Sequence, residues 1–460
     1  MLSRIAMSQS IDPHLDTRAT HMVFEGIDPV SIDFSHPDPH FKSVAHKLQM
    51  SSTLTHPRPL LNRCALVLIL LLCTTATIPA TAQDGGAWTA SGSIALELRW
   101  FPEDPALPDQ FEGTQPSAVL EPELRWRSTD RRHQIDLAGF GRLDGRDDQR
   151  SHLDLREASY RYIGDSFEIL AGVSRVFWGV TEARHLVDTL NQIDGVEDID
   201  EEDRLGQPMV QLALQRDWGR LELFALPGFR ERTFPGAEGR LRPPLPVAEE
   251  ARYGPGAGNE RVDWALRWSH VLGDWDLGVH LFRGTGREPR LVPAADGRRL
   301  IPFYEAIEQV GVDLQYTRGA WLWKLEALAR QGQGSTFGAA VAGLERTFYQ
   351  IGGSAADLGV LMEVLWDDRD ASAPPTIFDR DTFVGARLAL NDIQDSQLLV
   401  GAVVDHDDGS TFALLEAARR IGRRLTLELE ARLFPHVDPA GDLAAFDRDS
   451  FVNLRVAWHW

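Results

Sequence analysis

The 460-residue chain is almost without cysteine. Its two, Cys64 and Cys73, fall in one short apolar stretch, so no disulfide framework and no thiol chemistry is available beyond it. Lysine is scarce as well: after residue 82 the only one is Lys324. Positive charge is in deficit, with a net charge of −21, and this argues against nucleic-acid binding, which needs a basic footprint. Long hydrophobic runs are missing except for that one stretch, which excludes a bundle of membrane-spanning helices. Aromatic residues, at 9%, are too frequent for a disordered chain. All 13 tryptophans lie after the apolar stretch.

The stretch itself, Ala65 to Cys73, reads ALVLILLLC. Arg58 and Arg63 precede it, and Ala80-Thr81-Ala82 follows. A basic flank, a short apolar segment and a small-residue cleavage site make a secretory signal. It is too short for a spanning helix, which needs about 20 residues. Cys73 follows Leu71-Leu72, which disfavours a lipoprotein site. The expected organisation is a leader or over-extended start at 1–49, a signal peptide at 50–82 beginning with Met50, and a mature chain at 83–460. Removing 1–82 takes away six basic and six acidic side chains, so the charge stays at −21.

The mature chain alternates with period two. Ile94, Leu96, Leu98 and Trp100 share one face, and Ser93, Ala95, Glu97 and Arg99 the other. Leu425, Leu427, Leu429, Ala431 and Leu433 alternate with Thr426, Glu428, Glu430 and Arg432. Such stretches run about 9–12 residues, the length of a tilted membrane-crossing strand, where soluble strands average about 5–6. Connections alternate short and long, as in outer-membrane barrels with short periplasmic turns and long external loops. The expected fold is an all-β transmembrane antiparallel barrel of about 18 strands, with 16 the runner-up. The strands expected at 339–350 and 409–420 slip in parity. Trp88, Trp100, Trp126, Trp178, Trp218, Trp275, Trp321, Trp366 and Trp458 fall near expected strand ends, where an aromatic belt would lie.

The polar face becomes the pore lining, with Arg99, Arg125, Arg127, Arg142 and Arg156 as its cationic wall. The third external loop, expected at 177–208, carries Asp194, Glu197, Asp198, Asp200, Glu201, Glu202 and Asp203 within ten residues. Three readings stand side by side: a solvated acidic loop, a loop folded inward to constrict the pore against wall arginines, or a loop that binds calcium or bridges to lipopolysaccharide. The spacing is not that of an EF-hand. No other metal site and no cofactor is implied.

Val456, Trp458 and Trp460 share one face of the last strand, which resembles the C-terminal signal read by the barrel-assembly machinery. The acidic third loop facing arginines resembles general porins. The segment LREASYRYIGDSFEILAGVSRVFWGVTEARHLVDTLNQID, with ELFALPGFRERTFPG and GDWDLGVHLFRGTGREP, resembles a group of poorly characterised Gram-negative outer-membrane barrels. Alginate-export barrels are a weaker likeness, because their conduit is more strongly basic.

The expected function is a porin-like channel in a Gram-negative outer membrane, passing small polar or charged solutes. The alternative is an exporter or importer barrel working with a periplasmic or inner-membrane partner. An outer-membrane enzyme is disfavoured: no Gly-x-Ser-x-Gly occurs, the mature chain has no His-x-x-x-His, and Asp405-His406-Asp407-Asp408 reads as a solvated loop tip. Expected partners are outer-membrane lipid and lipopolysaccharide, the assembly machinery and, in an oligomer, further copies of the chain; nucleic acid is not among them.

Overall fold

In the computed structural model, residues 86–460 are described. The segments 1–49 and 50–82, with the signal peptide and its cleavage site, lie outside the described residues. The strands, in chain order, are β1 (Ala87–Trp100), β2 (Thr114–Arg127), β3 (His133–Asp144), β4 (Leu153–Ile163), β5 (Phe167–Ser174), β6 (Gln207–Arg216) and β7 (Gly219–Pro227). Then come β8 (Arg252–Tyr253), β9 (Val262–Leu272), β10 (Trp275–Thr285), β11 (Arg290–Pro293), β12 (Leu300–Tyr304), β13 (Ala306–Arg318) and β14 (Trp321–Gln331). The rest are β15 (Phe337–Phe348), β16 (Asp357–Asp367), β17 (Arg380–Ala389), β18 (Gln397–Asp405), β19 (Thr411–Ile421), β20 (Leu425–His436) and β21 (Phe451–His459).

Eighteen of these form one sheet, each strand antiparallel to its neighbours. β1 pairs with β2 on one side and β21 on the other, with Trp100 opposite Val452 and Ser93 opposite His459. That last pairing closes the ring, so no edge strand is left with unpaired backbone. Connections at one end are short, as at 273–274, 319–320 and 422–424. Gly273, Gly319 and Gly422 take positive φ there, as tight hairpins require. At the other end the connections are longer, reaching 175–206 and 228–251.

Period-two alternation puts apolar side chains on the outside. Leu96, Trp100, Trp264, Leu281, Val364 and Trp458 stand exposed there, while Glu97, Arg99, Arg142 and Lys324 point inward and are buried. Continuous outward apolar surface on this scale suits lipid, since soluble monomers rarely expose patches above a few hundred Å². Among the described residues no helix is long and apolar enough to cross a membrane; a closed barrel crosses with its strands. Trp178 departs from the expected belt. It sits in the 175–206 connection, buried against Phe224 and His280.

The two parity slips have a physical cause. On β15 the inward residues Phe337, Ala339 and Val341 are apolar and buried, so inward and outward faces look alike in the sequence. On β19 a register shift falls between Thr411 and Ala413, and the neighbouring Phe412 and Leu414 pack toward the interior clusters. A small sheet also went unforeseen. β11 pairs antiparallel with β12, and β12 parallel with β8, all within long connections. Strands of two to five residues carry too little alternation to read.

Candidate pore constriction

The 175–206 connection turns into the barrel. Its centre is among the most enclosed parts of the chain: Val187, Leu190, Asn191 and Asp194 have no accessible surface. Asn191 gathers its base, its amide donating to the carbonyls of Ser174 and Leu205 at 3.0 and 2.9 Å while its oxygen accepts from the Val176 N–H at 2.8 Å. Ile193 and Arg204 form an antiparallel bridge. The Asp194 N–H donates to the Asp203 carbonyl at 2.7 Å. The acidic run is therefore the tip of a small internal hairpin.

The tip meets the arginines of β1, β3 and β4. Asp198 pairs with Arg99 at 2.7 Å. Glu197 pairs with Arg142 at 2.5 Å, and Arg142 also holds Glu97. Asp194 pairs with Arg156 at 2.5 Å and accepts from Thr233 Oγ1 at 2.5 Å. Asp200 reaches Arg432 on β20 at 2.8 Å. Glu202 pairs with His185 at 3.2 Å inside the loop, and Glu201 with Arg232 at 3.0 Å. Asp203 contributes its backbone carbonyl. These contacts replace the reading of a loop lying free in solvent: buried carboxylates need partners, and the inner wall supplies them.

Of the five wall arginines expected from the sequence, Arg99, Arg142 and Arg156 meet the acidic hairpin. Arg125 and Arg127 do not. They lie toward the short-turn end, where Arg125 pairs with Asp136 at 2.6 Å and Arg127 is exposed. The expected wall is thus divided along its length. Several functional side chains escaped the sequence reading. Arg150, from the 145–152 connection, donates to the carbonyls of Val196 and Glu197 at 3.0 and 3.3 Å. His152 lies 3.2 Å from Asp194.

The opposite wall holds the loop by a different device. Residues 179–187 have no regular structure, so their N–H groups need other acceptors. Glu326 on β14 accepts from the N–H of Val180 and Thr181 at 2.6 and 3.0 Å, from Thr181 Oγ1 at 2.7 Å, and from the Val187 N–H at 3.2 Å. Glu363 on β16 accepts from the Glu182 and Ala183 N–H groups at 2.9 and 2.8 Å. Arg387 donates to Glu182 at 2.5 Å. The loop thus bridges β1–β4 and β14–β17 across the interior. In the sequence Glu326 reads only as lumen polarity, and nothing singles out Glu363.

The charged groups of the loop respond to this enclosure. Burial works against the Asp194 carboxylate, but the His152 hydrogen bond and Arg156 outweigh it and hold its pKa well below the usual range. Burial likewise opposes charge on His185, yet the Glu202 carboxylate overrides it and raises the imidazole to about 9. Burial pushes Asp188 up, with Arg204 opposing.

Two carboxylate groupings have ligand atoms within 4.8 Å of one another: His152, Asp194 and Glu197, and Asp198, Asp200 and Glu430. Arginines already stand against them, Arg156 and Arg142 in the first and Arg99 and Arg432 in the second. These guanidinium groups supply the positive charge that a calcium ion would bring. Elsewhere, Asp405-His406-Asp407-Asp408 turns between β18 and β19, with His406 Nε2 2.8 Å from Thr382 Oγ1 and Asp407 paired to exposed Arg380. On β21, Val456 and Trp458 face outward, and the Trp460 ring lies 5.8 Å from that of Trp458.

A closed 18-stranded antiparallel barrel with an apolar exterior is the architecture by which strands cross a membrane, here with the third loop folded inward. Solved structures similar to it are porins and related outer-membrane barrels. OmpT, an outer membrane protein of Vibrio cholerae, is 11% identical, with a TM-score of 0.44 over 82% of this chain and 100% of that one. A BenF-like porin from Pseudomonas fluorescens Pf-5 is 9% identical, with a TM-score of 0.49 over 82% and 98%. OccK11 (OpdR) of Pseudomonas aeruginosa is 10% identical, with a TM-score of 0.46 over 82% and 97%. These likenesses concern fold alone. No protein-family model matches the chain, and no curated protein matches it.

Proposed function

We propose that the protein is an outer-membrane channel for small polar or charged solutes, with its aperture set by the 175–206 loop. The observation that carries this reading is the loop laid across the barrel interior and fixed to both walls. Eighteen strands enclose more space than wall side chains can fill. A loop crossing that space narrows it, and its ionised groups act on whatever passes. The outward apolar face fits a lipid bilayer, and the end with short turns is then the periplasmic one. Val456, Trp458 and Trp460 are the residues we assign to recognition by the assembly machinery.

The test is single-channel recording in planar bilayers. The mature protein is expected to conduct. Deleting residues 195–203 removes the hairpin tip and is expected to raise conductance roughly twofold or more, with altered ion selectivity. A complete absence of current from both proteins would overturn the proposal.

A further inference from the structure

Besides the ion-paired hairpin, the interior holds a chamber of about 60 Å³ between the loop and the inner faces of β17–β20. Phe383, Leu399, Phe412 and Phe434 line it, so its body is apolar. Its polar margin is made largely of carboxylates, among them Glu182 and Asp200. Two observations make this more than an acidic cluster. The Glu182 side chain is only 6% exposed; its Oε2 accepts from Arg387 and lies 4.0 Å from Lys324 Nζ, while its Oε1 has no hydrogen-bond partner among the described residues. Among the described residues Arg432 is the one arginine or lysine lining the chamber, and its Nη2 is shared by Asp200, Glu416 and Glu430 at 2.8, 2.8 and 3.3 Å.

A buried carboxylate oxygen without a donor is costly to leave so. A bare metal ion would satisfy it but gains nothing from the phenyl and leucyl walls. A neutral apolar molecule would fill the walls and leave the oxygen unmet. A primary ammonium on a short alkyl chain does both, donating N–H to Glu182 Oε1 and setting its carbons among aromatic faces, which also attract cations. By the measure in which one water needs roughly 10–15 Å³, the chamber has room for about four heavy atoms. We propose that this chamber is a binding site for small alkylammonium cations, with Glu182 as the ammonium acceptor and the Phe383–Leu399–Phe412 surface as the seat of the alkyl chain.

The experiment is calorimetric titration of the folded, detergent-solubilised mature barrel with propylammonium chloride, alongside propanol and sodium chloride. Binding does not require conduction, so a closed or non-conducting barrel leaves this test intact. Expected are saturable binding of propylammonium, none of propanol or sodium over the same range, and an affinity lowered roughly tenfold or more in Glu182→Gln. Leu399→Asn leaves Glu182 in place and is expected to weaken propylammonium while affecting methylammonium little; it serves also if Glu182→Gln does not fold. No saturable propylammonium binding, equal binding of propanol, or an unchanged affinity in folded Glu182→Gln or Leu399→Asn would each overturn the assignment.

Discussion

The inner wall has two halves that hold the same loop by opposite means. Along β1–β4 the contacts are ion pairs: Arg99 with Asp198, Arg142 with Glu197, Arg156 with Asp194, all well buried. Along β15–β20 polar contacts from Glu363, Arg387 and Arg432 are joined by a large buried apolar cluster. Phe383 has no accessible surface, and its ring lies against strand backbone where Gly401 has no side chain. A Cβ on Gly401 would come within 2.3 Å of that ring. Leu186 of the loop belongs to this cluster; Ala183 of the loop packs against it, as does Phe378 from the 368–379 connection. The difference is one of specificity. Apolar burial favours any arrangement that excludes water. Buried charges tolerate few arrangements, because each needs its own partner. The apolar half supplies adhesion, and the charged half fixes where the hairpin tip sits.

The sharpest way to break that division is to remove one arginine from the charged half. Arg142→Ala leaves Glu97 and Glu197 without their shared guanidinium and is expected to cost about 3–5 kcal/mol. The loss should appear as faster hydrogen exchange across residues 193–204 and as noisier single-channel current, with the barrel still closed. On the apolar half, Phe383→Ala opens a cavity and is expected to cost about 3 kcal/mol. Here the measurable effect is a lower unfolding midpoint in urea, with little change in the register of the hairpin tip. If Phe383→Ala shifted the tip as much as Arg142→Ala did, the division of labour would be wrong.

A third comparison uses pH. His185 carries a pKa raised to about 9 by Glu202, against an ordinary value near 6.5. A raised value means the protonated form favours the docked loop. That contribution is complete below about 6.5 and is lost as pH rises through about 9. Hydrogen-exchange protection of the loop should therefore fall between neutral pH and pH 9–10 in the parent protein, and much less in His185→Asn. The smallest effect is expected at Arg125, whose side chain is 52% exposed beside Asp136 at the short-turn end. Arg125→Ala should change stability by only about 0–1 kcal/mol and leave the loop untouched. A large effect there would extend the charged half well beyond the hairpin.

The barrel was legible in the sequence because lipid and lumen impose opposite chemistry on alternate residues. The alternation of Ile94 to Trp100 and of Leu425 to Leu433 falls within β1 and β20. Alternation failed where the inner face is itself apolar, as at Phe337 and Val341, or where a register shift breaks the phase beside Phe412. The acidic run and three of its arginine partners could be named in advance, since charge of both signs on one face invites pairing. Arg125 and Arg127 could not be told apart from them, because alternation gives the face of a residue and not its depth along the pore. The backbone clamps of Glu326 and Glu363 lay beyond reach, as their partners are N–H groups that every residue carries.

Those two clamps also constrain the order of assembly. Val180 and Glu326 are 146 positions apart, and Glu182 and Glu363 are 181 apart. The loop leaves β5, yet its partners on the far wall arrive with β14, β16 and β17. Contacts of such long range form late, since the intervening chain must first be organised. The hairpin therefore cannot settle when its own flanking strands pair. It must wait, unanchored on its far side, until most of the wall stands, which makes closure of the ring and occlusion of its interior successive events in the life of each new molecule.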